Sequence, residues 1–487
     1  MSAATSVPKP LHDSFADWLS PILVKELRQG LQAYVFAMVF IGIHTTMILT
    51  FGLQALASDP DGLGLQETDW FFWAIIWGPA LIIMPLRGMS AVTAEHKAQT
   101  LELMQMTHMS SFRIILGKWV GIVVQTLLLL VSLLPYAILR YFFGGVNLTE
   151  DLMSIGFILL ASLTFTAWTI AASTLPGILR ALAAIAIIWF MIGAAGSRIF
   201  GGSPSLFGLR IMSWAGIGAL LLVACSYILF SLELAASRIA PEAENHALRK
   251  RLIALAVLLG SLAVVAFIRF YGLSDNIASA AMALSVPIVF WTVMDALTET
   301  PNANPHTYSA IANKPWVLRR LGMALHPGWP SGLLFSMVVW CLFFLGLRVA
   351  NASRSMESQW VWATAVAVGG WMLTPLLPLL WLKNLKQRLV GFLGIQLLCW
   401  LVYVISQTIL NRDGMGGREM SAVIGAIPSC SLYYLMDHGM TLHLEKVLTP
   451  IATITTGGIL LVLILYSIRE FRLMLRVERV ARKGDGI

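Results

Sequence analysis

Residues 116–139 read LGKWVGIVVQTLLLLVSLLPYAIL, and this stretch decides the class of fold. After Lys118 it carries no charge as far as Leu139. A run of about 20 apolar residues, wound as a helix, matches the hydrocarbon thickness of a bilayer. Working outward, comparable runs lie at 32–56, 70–90, 153–175, 181–200, 209–235, 252–272, 277–297, 331–349, 360–382, 389–410 and 447–468. Composition agrees. Of the 487 residues 58% are hydrophobic and only 12% charged, with a mean hydropathy of +0.78. A soluble domain carries about twice that share of charge. Soluble enzymes, disordered chains, secreted disulfide scaffolds and soluble nucleic-acid binders are excluded. The sequence therefore predicts an all-α, polytopic membrane protein with about twelve transmembrane helices.

Charge sets the expected orientation. With the N-terminus inside and the runs alternating, 24 of the 33 Lys and Arg fall in the cytoplasmic segments 1–31, 86–118, 236–251, 298–330, 383–388 and 469–487 and at Arg180. Lys and Arg accumulate on the cytoplasmic side of membrane proteins, so both termini are expected in the cytoplasm. The stretch 421–446 contains Pro428, Asp437, His438 and His443, polar for a span. It reads as a re-entrant or interfacial segment on the outer side, because a further crossing would put the basic tail 469–487 outside.

The expected organisation is a cytoplasmic amphipathic helix in 1–31, a six-span core over 32–235 and a basic linker at 236–251. A second six-span bundle over 252–468 and a basic cytoplasmic tail over 469–487 follow. In each half a long cytoplasmic segment follows the second span, at 93–118 and 298–330. This suggests a parallel 6+6 repeat; the alternative is a six-span core with six appended spans. Residues 14–31 place Phe15, Trp18, Leu19, Ile22, Leu23 and Leu27 near helical spacing with Lys25, Glu26 and Arg28 between them, and Pro21 is expected to bend the segment. In 93–118, TAEHKAQTLELMQMTHMSSFRIILGK, Thr107, Ser110 and Ser111 read as a break and a helix cap.

The sequence has no GxxxxGK[ST], HExxH, GxSxG or CxxC motif. No catalytic residue, cofactor site or metal site is assigned, and the four cysteines read as small hydrophobes. Polar residues inside spans are candidates for function. His44, Thr45, Gln125 and Thr166 are the candidates for a translocation path, against the alternative of hydrogen bonding between helices.

The segment Glu95–Lys118 resembles permease subunits of ATP-binding-cassette exporters of the second type. There the stretch after the second span runs Glu-Arg-Glu-x-Gly-Thr-Leu-Glu, then Leu-x-x-Thr-Pro-x-Ser, then an apolar Gly-Lys. Glu95, Thr100, Leu101, Glu102, Thr107, Ser110, Gly117 and Lys118 match. His96, Lys97, Gln99 and His108 depart, Gln99 standing where the family has Gly. Residues 21–28, PILVKELR, also resemble the family's opening. The resemblance covers about residues 18–238 and matches the second half only in outline. It implies a permease subunit in the cell membrane, the bacterial inner membrane, driven by a separate cytosolic ATPase that binds ATP and Mg. It implies an ATPase-coupling element at Glu95, Thr100, Leu101, Glu102, Met104, Thr107 and Ser110, with a surface helix bearing Trp18, Leu23, Lys25, Glu26 and Arg28. A second permease chain is a further expected partner. The competing expectation is an ATP-independent secondary transporter or a membrane scaffold subunit.

Overall fold

The computed structural model describes residues 21–57, 69–97, 99, 109–143, 147–199, 214–241, 244–272, 275–301, 315–316, 322–350, 358–381, 388–410, 427–433 and 442–484. Among them there is no strand, and eleven helices are long and apolar enough to cross a membrane. The chain is thus an all-α, multi-pass membrane protein. Apart from one or two end residues, the described part of each of the twelve expected runs is helical, in one piece or, for 70–90 and 360–382, in several. The one at 181–200 lies on Gly177–Ile199, whose described apolar part, Gly177–Trp189, is shorter than a span. The chain divides into two compact units, Met1–Ala240 and Pro241–Ile487.

The first unit begins with α1 (Pro21–Leu31) and α2 (Tyr34–Ala57). Pro21 is the first residue of α1, where a missing N–H costs nothing; the expected bend thus coincides with a helix start, and Trp18 lies outside the described residues. The second span differs from the expected continuous run. It is α3 (Asp69–Trp77), a π-helical turn (Gly78–Ile83), a single turn Met84–Leu86 and, after a bend at Arg87, α4 (Gly88–Lys97). The cause is two prolines. In the π register the N–H of Met84 donates to the Pro79 carbonyl. The next carbonyl, Ala80, would pair with residue 85, which is proline and has no N–H.

That carbonyl is satisfied from α6 (Leu148–Ser173), which follows α5 (Ser111–Phe143). The Ser162 hydroxyl donates to Ala80 O at 2.6 Å, and the Thr169 hydroxyl donates to Pro85 O at 2.6 Å. Gly88 permits the approach: a Cβ there would stand 2.4 Å from Thr169 Oγ1 and 3.2 Å from the Ile170 backbone nitrogen. α6 is therefore the centre of this unit, with Ile158, Phe165, Ala167 and Ile170 buried along it. α7 (Gly177–Ile199) follows a tight turn, and α8 (Trp214–Ile239) closes the unit.

The second unit is organised differently, around α9 (His246–Phe270), α10 (Asp275–Thr298) and α11 (Trp329–Ala350). Gly332 lets α11 meet α10, since a Cβ there would fall 2.1 Å from the Ala296 carbonyl oxygen. α12 (Ser358–Leu373), the short α13 (Leu376–Trp381), α14 (Arg388–Leu410) and α15 (Leu442–Gly484) complete the unit. The expected basic tail continues α15 without a break. Arg469, Arg472, Arg476 and Arg479 share one exposed face of it at three- and four-residue spacing. Of the stretch 421–446 only 427–433 and part of α15 are described. Pro428, Ser429, Cys430 and Ser431 are buried, and the backbone passes close to Gly370, where a Cβ would lie 2.6 Å from Pro428 O.

Candidate functional site

α1, α4 and α5 meet at a cluster of four charges. Lys118 Nζ stands 2.7 Å from Glu95 Oε1 and 3.0 Å from Glu26 Oε1. Lys25 Nζ donates to the same Glu95 oxygen at 3.3 Å. Two cations and two carboxylates balance. The Lys118 side chain is 4% exposed and that of Glu95 10%, so Lys118 is held largely away from water and these carboxylates compensate its charge. Small residues bring α1 into place: a Cβ on Gly121 would lie 3.0 Å from Glu26 Cβ. Beside the cluster, the Arg87 guanidinium at the bend donates to Gln125 Oε1 and, at 3.4 Å, to the Gly30 carbonyl. Gln125 Nε2 donates to Gly121 O at 3.0 Å.

Of the expected coupling residues, Glu95 is in this cluster and Ser110 ends the break: its carbonyl accepts from the Arg113 N–H at 2.9 Å and opens α5. Thr100, Leu101, Glu102, Met104 and Thr107 lie outside the described residues. Gln99 is the one described non-glycine with a left-handed backbone, φ 55°. It follows the last turn of α4 at the position where a helix commonly ends on glycine. On α1, Lys25 and Glu26 join the cluster, Leu23 is half-buried and Arg28 is exposed.

The path candidates have separate partners. His44 Nδ1–H donates to Phe40 O at 2.8 Å, and its ring stacks on Phe40 and meets the edge of Tyr136. Thr45 is exposed on α2. Thr166 is buried and donates to Ser162 O at 2.7 Å. Gln125 belongs to the Arg87 network.

Sequence reasoning did not single out a second cluster, in the second unit. Arg251, 1% exposed, donates to the carbonyls of Ala324 at 2.8 Å and His326 at 2.6 Å, to Ser331 Oγ at 3.1 Å and to Glu299 at 2.7 Å. Lys250 pairs with Asp295. The start of α9, the end of α10 and the turn before α11 are thereby locked together. Burial first, and the Arg251 charge second, push the His326 imidazole down from 6.5 to about 4. The available signal was Lys250-Arg251 opening an apolar run, with Asp295 and Glu299 closing the next. Among the described residues no group of three or more His, Cys, Asp or Glu is placed to hold a metal ion.

No protein-family model, no curated protein and no solved structure matches this chain.

Proposed function

We propose that the chain is the membrane-spanning permease subunit of an ATP-binding-cassette transporter of the exporter type, set in the bacterial inner membrane. On this reading ATP and Mg bind a separate cytosolic ATPase, and this chain carries no catalysis of its own. The observation that carries the proposal is the Lys25–Glu26–Glu95–Lys118 cluster. It joins a surface helix, the end of one span and the start of the next at the two roots of the segment 98–110. A push on that segment would move three elements together, and coupling between distant sites needs such a contiguous two-state contact. The left-handed backbone at Gln99, where the resembling family has glycine, supports the same register.

On this reading Glu102 meets a cation of the ATPase, with Leu101 and Met104 closing the contact to water. Such a charge-assisted contact contributes about 1.5–3 kcal/mol. The test is Glu102→Lys, compared with a Leu101→Ala/Met104→Ala pair, in pull-downs of the ATPase and in transport-coupled hydrolysis in vesicles. The expected result is insertion at normal levels with loss of assembly or of coupling. Wild-type assembly and coupling in both variants would remove the coupling role and shift the reading to an ATP-independent transporter or a scaffold. One chain with two ATPases, or two chains joined through their six-span cores, are the assemblies to be distinguished.

A further inference from the structure

Between Lys446 and Arg469, α15 runs for 22 uncharged residues. At 1.5 Å per residue they rise about 33 Å, which matches the ~30 Å hydrocarbon core of a bilayer. Arg469 therefore stands where the hydrocarbon ends. Within the span one side of the helix is packed on α11 and α12, and Ala452, Thr456, Leu463 and Ser467 are buried along it. The other side is open: Ile451, Ile454, Leu461 and Leu465 are exposed, as residues that face lipid are.

Beyond Ile468 both sides continue in the same register. Met474 and Glu478 are buried, whereas Arg469, Arg472, Arg476 and Arg479 are exposed. The four arginines follow Leu465 by 4, 7, 11 and 14 residues, the spacing of a single helix face. They prolong the lipid-facing side of the span. The two carboxylates of this stretch are turned away from it. Glu478 is buried, and Glu470, half-buried, lies about 100° round the helix from Arg469. One face of α15 thus changes from apolar to cationic at the depth where a phospholipid changes from acyl chain to phosphate.

We propose that this face binds an anionic phospholipid in the leaflet that meets the basic end of α15, with its acyl chains along Leu461 and Leu465 and its phosphate held by Arg469 and Arg472. A guanidinium presents a planar fork of donors that fits a phosphate. Arg469 and Arg472 are one turn apart, so both reach one phosphate group. Arg476 and Arg479 lie about 10 Å further along the axis. That is about one Debye length, so they add to the attraction without touching the phosphate. A net anionic headgroup is favoured over a zwitterionic one, because the face bears four cations and no carboxylate and repels an ammonium group. An acidic soluble partner would account for the arginines but not for their continuity with a face that lies in hydrocarbon. The site stands independently of the ATPase reading.

The experiment uses the full chain in nanodiscs of phosphatidylglycerol and phosphatidylcholine with identical acyl chains, in equal amounts, each radiolabelled in turn. Leu465→p-benzoylphenylalanine photolabels the lipid beside Arg469. Ile454→p-benzoylphenylalanine, on the same face about 16 Å earlier, samples lipid away from the arginines. Phosphatidylglycerol is expected to label position 465 in preference to phosphatidylcholine, and neither lipid is favoured at position 454. Arg469→Gln/Arg472→Gln should lower the preference at 465 by about fivefold for each arginine removed, and Arg476→Gln/Arg479→Gln should lower it less. The arginines lie off the packed side, so both variants should fold, and unchanged labelling at 454 checks their insertion. Equal labelling by the two lipids at 465, a preference retained in Arg469→Gln/Arg472→Gln, or a larger loss from the outer pair than from the inner would overturn the proposal. Crosslinking of position 465 to protein in place of lipid would give the face to a partner or a second copy and overturn it likewise. Labelling requires no ATPase, so a failure here leaves the transporter reading intact.

Discussion

Lys118 Nζ in α5 lies 2.7 Å from Glu95 Oε1 at the end of α4, and this pair is the hub that α1 joins through Lys25 and Glu26. Removing one partner of a buried pair leaves a charge in low dielectric, at a cost of about 3–5 kcal/mol. Lys118→Met is therefore expected to destabilise the chain by about that amount. Glu95→Gln in the same chain should recover part of it, because Lys118→Met leaves Lys25 alone to balance Glu26 and Glu95, and this change removes one of the two carboxylates. Unfolding titrations of the single and double variants give the coupling energy. A Lys118→Met chain as stable as wild type would show that the pair does not hold α1 in place.

Gln99 sits at φ 55°, a region that side chains with a Cβ enter at a cost. Gln99→Gly is expected to stabilise the chain by about 0.5–1 kcal/mol despite the entropy glycine adds to the unfolded state. Gln99→Val should destabilise it, since branching at Cβ is least tolerated there. The same titration reads both variants, and a loss of stability in Gln99→Gly contradicts the assignment.

Ser162 answers for the N–H that Pro85 lacks. Ser162→Ala strands the Ala80 carbonyl and is expected to cost about 1–3 kcal/mol. Amide hydrogen exchange should rise locally over residues 80–90, where the broken span has fewest bonds of its own, and little elsewhere. Uniform acceleration through the whole chain would mean that the bond serves global rather than local stability.

His326 makes stability depend on pH. The imidazole titrates near 6.5 when unfolded and at about 4 in the fold. Between those values the unfolded chain binds a proton that the folded chain does not. Stability contributed by the neutral ring is complete above pH 6.5, falls as pH drops toward 4, and is constant below. The slope is about 1.4 kcal/mol per pH unit, or about 3 kcal/mol over the window. His326→Gln should flatten that part of the profile. An unchanged difference in stability between pH 7 and pH 5 would contradict it.

The helices were legible because lipid demands long apolar runs, and the described part of each expected run is helical. What sequence could not show was interruption. Gly78-Pro79 and Pro85 in the second span are visible as letters, but a proline in an apolar run is compatible with a kink, a break or a π turn. The outcome depends on whether a donor such as Ser162 is placed opposite, a tertiary fact. The charged hub was half legible: Glu95 and Lys118 stand in the quoted motif and Lys25 and Glu26 in the surface helix. Their convergence needs the contact of Gly121 with α1, which is 95 residues from Glu26.

Whether a separate ATPase drives this chain is read from the composition of its native assembly. The measurement is the mass of the complex purified through a tag on the full chain from its own membranes, dissociated in the gas phase to identify each subunit. The expected result is this chain together with a P-loop ATPase in fixed stoichiometry, one chain with two or two with two. Recovery of the chain alone, or with partners that lack a nucleotide-binding motif, would contradict it.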